Sequence, residues 1–297
     1  MRNLSIGAAI AIAATTATAD VFQDWNLVVR NDLNITSEID GSTMVGGNIS
    51  GTSNYAVQAV TAASGEGLVV GGNIAAGTNV QINNAGNLRI AGSVNGTANL
   101  NGGGSQLNDP SAATMVNNAM TAAENLSSFF STFAATGTID GAGNMSSAAH
   151  TSIDAQNVAF YTLNQSSING LGQLNLNFGA ADTVVINIDG SASAGTINLT
   201  APPNIIGGFN QANSSRIVWN FVNTTEVIIN NSFNGMILAT NAHLDLNGGG
   251  VNGSVFVNSA DLDAEIRLNT YQGALPTPGS LALLSLGLLA ANRRQRA

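Results

Sequence analysis

Short apolar runs, alternating with polar residues and separated by turn dipeptides, recur along most of this chain. The pattern predicts many short strands rather than helices. The predicted strands are 27–29, 44–45, 68–70, 80–82, 88–91, 184–188, 196–199, 217–221, 227–229, 236–239, 244–246, 255–257 and 266–268. Between them stand Asp40-Gly41, Gly46-Gly47, Gly71-Gly72, Asn95-Gly96, Asp189-Gly190, Asn234-Gly235 and Asn252-Gly253. One stretch breaks the pattern. After Asp109-Pro110, an N-cap followed by a proline at the first helical position, Met115, Ala119, Met120, Ala123, Leu126, Phe130 and Phe133 recur at helical spacing. Residues 110–135 therefore read as one amphipathic helix whose apolar stripe needs a surface to bury it. Residues 141–179, rich in Ser, Asn and Gly, read as irregular or partly strand.

The turn dipeptides suit hairpins, but larger repeats favour another arrangement. Val45-Gly46-Gly47-Asn48-Ile49 returns as Val70-Gly71-Gly72-Asn73-Ile74, followed by Ile90-Ala91-Gly92-Ser93-Val94. Phe233-Asn234-Gly235-Met236-Ile237 is echoed by Val251-Asn252-Gly253-Ser254-Val255. Periods of about 20 to 25 residues are those of solenoid coils that bury their inner side chains on one another. The expected fold is all-β, a right-handed parallel β-helix with the long helix packed on its flank. Val, Ile and Leu point inward, Asn stacks on Asn outside, and Gly and Asn take corner positions of positive φ.

Both ends read as addressing signals. Arg2, an apolar run over residues 4–14 and Ala17-Thr18-Ala19 make a signal peptide over residues 1–19, cut after Ala19 by signal peptidase. The body spans 20–273. Residues 274–297 form a tail: Leu275-Pro276-Thr277-Pro278-Gly279-Ser280, an apolar stretch over 281–291, then Arg293, Arg294 and Arg296. That stretch is short for a permanent span, which needs about 20 residues. It suits transient attachment to the inner membrane, with the arginines on the cytoplasmic side, until a processing enzyme acts.

Charge sharpens this picture. There are eight arginines and no lysine, and four arginines lie in the tails. The body keeps 17 acids against Arg30, Arg89, Arg216 and Arg267, a net charge of −13. Such a body lacks the basic face that nucleic-acid binding requires. Charged residues make up only 8% of the chain, so solubility rests on amides, hydroxyls and backbone.

Asn26-Leu27-Val28-Val29, Asp32-Leu33-Asn34, Glu38-Ile39-Asp40-Gly41 and Val45 to Ile49 resemble the opening of the choice-of-anchor A family. Val218-Trp219-Asn220-Phe221, Phe233 to Ala239, Asn241-Ala242 and Asn252-Gly253 resemble its closing block, so the resemblance covers about residues 22–273. It implies an exported bacterial protein with a surface, matrix or adhesive role and brings no catalytic residues. The tail resembles the PEP-CTERM signal and implies an exosortase-type processing enzyme, although Thr277 stands where Glu is usual. The competing sortase signal fits less well, because Pro278 occupies its threonine position.

The chemistry points the same way. Without cysteine there is no thiol catalysis or Cys-ligated metal. His150 and His243 lack any metal-binding spacing, and His243 and Asp245 alternate so as to face outward together. The Gly-Gly pairs follow strands without opening a helix, so no nucleotide loop forms. Asp261, Asp263 and Glu265, spaced two apart, are the candidate calcium ligands; as acids of the last strands they otherwise read as a charged outer face at the solenoid's end, discouraging edge-to-edge stacking. Three functions result: a non-catalytic surface or matrix component, a binding module (adhesin or ice-binding solenoid), and a polysaccharide-active enzyme. The last needs clustered carboxylates with Arg or Lys, and the second, for ice, a regular T-x-T ladder. The body has neither. Extracellular polysaccharide or other surface polymers are the expected partners.

Overall fold

The structure, a computed structural model, describes residues 17–199 and 204–276. It is mostly β, and its strands pair in parallel except in two hairpins, Gly137–Ile139 with Asn144–Ser147 and Thr151–Ile153 with Gln156–Asn164. Outside those hairpins, a strand pairs not with its sequence neighbour but with one from another pass of the chain. Leu27–Val29, Thr43–Val45, Glu66–Val70, Asn87–Ile90 and Gln106–Asn108 form one ladder. Leu33–Ile35, Ile49–Tyr55, Asn79–Ile82 and Thr97–Leu100 form a second.

The order of the stack departs from the order of the chain. After Asn108 the chain enters the long helix Ala112–Ser131 and restarts at the opposite end. Gln156–Asn164, Thr183–Asp189, Ile217–Val222, Met236–Leu246 and Val255–Leu262 then stack back toward the start. Val255, Phe256 and Val257 come to rest in register beside Leu27, Val28 and Val29. The last long strand thus lies mid-stack, and so do Asp261 and Asp263. This corrects the expectation that these acids guard the solenoid's end. The end is Thr97–Leu100 and Gln106–Asn108 instead.

The helix is the right length for this return. Its 20 residues cover about 30 Å at 1.5 Å each. The strands it touches run from Glu66–Val70 to Thr183–Asp189, seven in the stack, or about 29 Å at 4.8 Å spacing. Val116, Ala119, Met120, Ala123, Leu126 and Phe130 bury against Val28, Met44, Val69, Val185, Val218, Leu238 and Phe256. Those strands also send Leu27, Val29, Val45, Val70, Val184 and Ile186 into the inner core. Being buried on both faces, they read as continuous apolar runs.

Polar ties fix the register of the helix. Asn220, fully buried, donates to Ser127 O (3.0 Å) and Asn187 Oδ1 (2.8 Å) and accepts from Ser127 Oγ (2.6 Å). Asn187 Nδ2 donates to Phe130 O at 3.1 Å. The helix starts later than predicted, with Ser111 at its N-cap. The Asp109 carboxylate accepts from Ser111 N (2.9 Å), which holds it below the usual carboxylate range, and pairs with Arg89. Phe133 lies past the helix end and stacks on Phe160.

The 141–179 stretch is partly strand, as read, and adds a short helix, Gln165–Asn169. One further expectation changes. The corner glycines Gly71, Gly72 and Gly92 lack positive φ. A Cβ on Gly71 would lie 2.5 Å from Gly46 O, on Gly72 2.4 Å from Gly47 O, and on Gly92 2.3 Å from Gly72 O. Close approach of stacked backbones, rather than left-handed geometry, demands glycine there.

Residues 1–16, most of the predicted signal peptide, lie outside the described residues. A helix not foreseen, Ala17–Asp24, includes Ala17 and Ala19 and seats Phe22 against Phe256, ring centroids 5.1 Å apart. Pro276 closes the described segment, and Thr277, Pro278 and the 281–291 stretch lie outside it. Among the described residues no helix is long and apolar enough to cross a membrane.

Candidate functional site: a flat polar face

Among the described residues, no element covers the face beside the helix-covered ladder. It is built from Thr196–Leu199, Glu226–Ile229, the second halves of Met236–Leu246 and Val255–Leu262, Leu33–Ile35 and the start of Ile49–Tyr55. Strand alternation sends Leu33, Ile35, Leu244, Leu246, Ala260 and Leu262 into the core, so the residues between them point out.

Parallel, in-register pairing arranges these outward residues in columns. One column runs Asn198, Ile228, Asp245, Asp261, Asn34, Ser50, and a second runs Thr196, Glu226, His243, Ser259. Hydrogen bonds fix the side chains along them. Thr196 Oγ1 donates to Glu226 Oε2 at 3.1 Å, Ser50 Oγ donates to Asn34 Oδ1 at 3.1 Å, and His243 Nδ1 lies 2.9 Å from Ser259 Oγ. At the corner an amide ladder climbs the stack. Asn48 donates through N (2.6 Å) and Nδ2 (3.1 Å) to Asp32 Oδ1, Asn73 likewise to Asn48 Oδ1 (both 3.0 Å), and Ser93 N to Asn73 Oδ1 (2.9 Å). The result is a rigid grid, about 4.8 Å between strands and 6.8 Å between outward residues along one.

The electrostatics are one-sided. Asp32, Glu226, Asp245, Asp261 and Asp263 all lie on or bordering this face, whereas the body arginines are tied elsewhere. Arg30 pairs with Glu124, Arg89 with Glu66 and Asp109, and Arg267 with Glu265, while Arg216 lies over the Phe178 ring. His243 Nε2 lies 3.7 Å from Asp261 Oδ2.

His243 and Asp245 face outward together, as read from the sequence. Asp261, Asp263 and Glu265 are split apart. The strand ends at Leu262, Asp263 accepts from Thr36 Oγ1 (2.7 Å), and Glu265 turns to Arg267 (2.9 Å). No three His, Asp or Glu groups among the described residues come together to hold a metal ion. His150 Nε2 is buried and makes no hydrogen bond. A cleft of about 440 Å³ lies at the hairpin end, lined by Ile139, Asp140, Thr162, Leu163, Ser166 and Leu171 among others. Its one carboxylate, Asp140, is engaged by Asn144 and held below its ordinary range. Carboxylates and cleft therefore do not coincide.

The contribution of Asn34, Asp32, Asn48 and Glu226 is not visible in any one segment. The available signal was the Leu244-Asp245-Leu246 and Ala260-Asp261-Leu262 echo, spaced like the His243 and Ser259 pair, 16 residues apart.

A family model for the ice-binding-like adhesive domain matches residues 18–268. No curated protein sequence matches the chain. Among solved structures, an ice-binding protein from the Antarctic ascomycete Antarctomyces psychrotrophicus is similar at 11% identity over 82% of this chain and 94% of that chain, with a TM-score of 0.33. The DUF3494 domain of a Shewanella frigidimarina ice-binding protein is similar at 12% identity over 90% of this chain and 100% of that chain, with a TM-score of 0.35.

Proposed function

The chain belongs to the ice-binding-like adhesive domain family, and on that premise we propose that it is a non-catalytic adhesive module of the cell surface or extracellular matrix, holding extended hydroxyl-bearing polymers against its flat face. The observation that carries this is the register of Asp245, Asp261, Asn34 and Ser50, which makes one continuous grid from strands at both ends of the chain. A rigid grid of amides, hydroxyls and carboxylates binds a repetitive polymer through many weak contacts, each costing little ordering entropy. Five carboxylates without an arginine repel uronate-rich or sulfated polymers, so neutral or amine-bearing ones are the partners.

The stacked passes are taken as coils of a right-handed parallel β-helix, the hand that strand twist favours for parallel crossovers. The choice-of-anchor A resemblance and the PEP-CTERM-like tail belong to this reading as the route by which the module is exported and processed. Mass spectrometry of the extracellular protein should find the chain starting at Asp20 and ending between residues 276 and 280; an intact Arg-rich C-terminus would refute the tail assignment.

Ice is the second partner to weigh, because the family description carries it and the grid is flat. The columns hold Thr196 but no regular threonine ladder, so thermal hysteresis is expected to be absent. The deciding experiment is co-sedimentation with insoluble neutral, amine-bearing and acidic polysaccharides alongside an ice-growth assay. Retention on the first two classes supports the adhesive reading. Ice shaping without polymer retention replaces it, and release of new reducing ends or unsaturated products makes the protein an enzyme.

A further inference from the structure

We propose that the open end of the stack is the surface through which two copies of this chain join end to end. The two ends are built differently. At the far end the ladder ends in the antiparallel hairpin of Thr151–Ile153 with Gln156–Asn164, whose turn carries the exposed acid Asp154. At the other, Gln106–Asn108 and Thr97–Leu100 each pair on one side only, with Asn87–Ile90 and Asn79–Ile82. Among the described residues no strand pairs with their outer edges, which are the usual template for adding a strand.

The core is also unfinished there. Val94, Ala98 and Leu100 sit against the inner cluster only partly buried. Gln106 and Asn108 stand in register with the core residues Leu88 and Ile90, yet both are exposed, and Gln106 Nε2 donates to Asn108 Oδ1 at 2.9 Å. Leu107 is 48% exposed, one of two large apolar side chains so exposed among the described residues. The end plate is thus apolar and amide-rich, with open strand edges around it.

Charge names the occupant. No charged residue stands between Arg89 and Asp109, and those two pair with each other. The body is strongly acidic, so its copies repel wherever acids face outward, as on the flat face. Neither Thr97–Leu100 nor Gln106–Asn108 carries a Lys, Pro or acid to blunt its edge, and Asp109, directly after the second, is paired with Arg89, so an identical end approaches without an unpaired like charge. Identical edge strands meet about a two-fold axis, running antiparallel. The register that pairs all three residues of Gln106–Asn108 puts Leu107 opposite Leu107 of the second copy and Gln106 opposite Asn108.

Sedimentation velocity of the full chain over a range of micromolar concentrations tests this, with Leu107→Asp and Leu107→Lys variants checked for unchanged circular dichroism. The unsubstituted chain should self-associate to a dimer. Each variant alone should associate at least about tenfold more weakly, since it places like charges face to face. An equimolar mixture of the two should recover the dimer, because Asp then meets Lys. A concentration-independent monomer, variants that dimerise undiminished, or a mixture that stays monomeric overturns the proposal.

Discussion

Val29 and Val257, near opposite ends of the body, stand in register in adjacent parallel strands. The stack is therefore closed in its middle by the first and last long strands, with the long helix bridging the two arcs. Stability should depend on that junction more than on any terminal coil.

Asn26 is the polar key of the junction. It is fully buried, donates to Gly253 O (2.8 Å) and Arg267 O (3.2 Å), and accepts from Gly41 N (2.9 Å). Asn26→Ala strands two buried backbone groups, Gly253 O and Gly41 N, each costing about 1–3 kcal/mol, while Arg267 O keeps its bond from Gly253 N (3.3 Å). Chemical denaturation should show a loss of at least about 2 kcal/mol in one cooperative transition. A loss below about 1 kcal/mol would mean the junction does not hold the two arcs together.

Asn220 does the same for the helix, through Ser127 and Asn187. Asn220→Leu should cost about 2–4 kcal/mol and expose the helix first, read as hydrogen exchange rising over residues 112–131 before the ladders. Equal protection of helix and ladders in the variant would contradict this.

The three tyrosines of the chain, Tyr55, Tyr161 and Tyr271, are all buried. Burial raises each phenol, Tyr161 to about 12 and the other two further. Since the folded values lie above the unfolded value near 10, the phenols favour the folded state below pH 10, and that contribution is lost as pH rises beyond it. Phenolate absorbance should stay flat through pH 10 to 11 and then appear together with the loss of circular dichroism. Ordinary titration near pH 10 in folded protein would contradict the buried placement.

On the flat face, Asp245 and Asp261 are like charges directly across adjacent strands. Asp245→Asn should raise stability by about 0.2–1 kcal/mol at low ionic strength, a gain that fades at 1 M salt. A gain unaffected by salt would point to packing rather than charge.

Much of the fold was legible in the sequence, because a strand with one face in the core announces itself. Val80 and Ile82 alternate with Asn79 and Gln81, and the Val45 to Ile49 and Val70 to Ile74 repeats do stack as neighbours. Gln106–Asn108 and Asn204–Gly207 escaped notice because each lies at a sheet edge with little apolar patterning. The interleaved order was hidden for a different reason: inward valines pack equally well whichever coil lies next to them, so periodicity fixes each coil but not its neighbour. The face was hidden with it, since Asn34 meets Asp261 only through that order.

The most direct test of the adhesive reading places a bulky side chain on the grid. Asn34 is exposed and lies mid-column, so Asn34→Tyr should leave stability within about 0.5 kcal/mol while breaking the flatness. Asn118→Tyr, at an exposed position of the long helix away from these columns, serves as control. Retention on insoluble neutral or amine-bearing polysaccharide should fall at least about tenfold for Asn34→Tyr and stay unchanged for Asn118→Tyr. Equal retention of Asn34→Tyr and the unsubstituted chain would contradict the flat face as the binding surface.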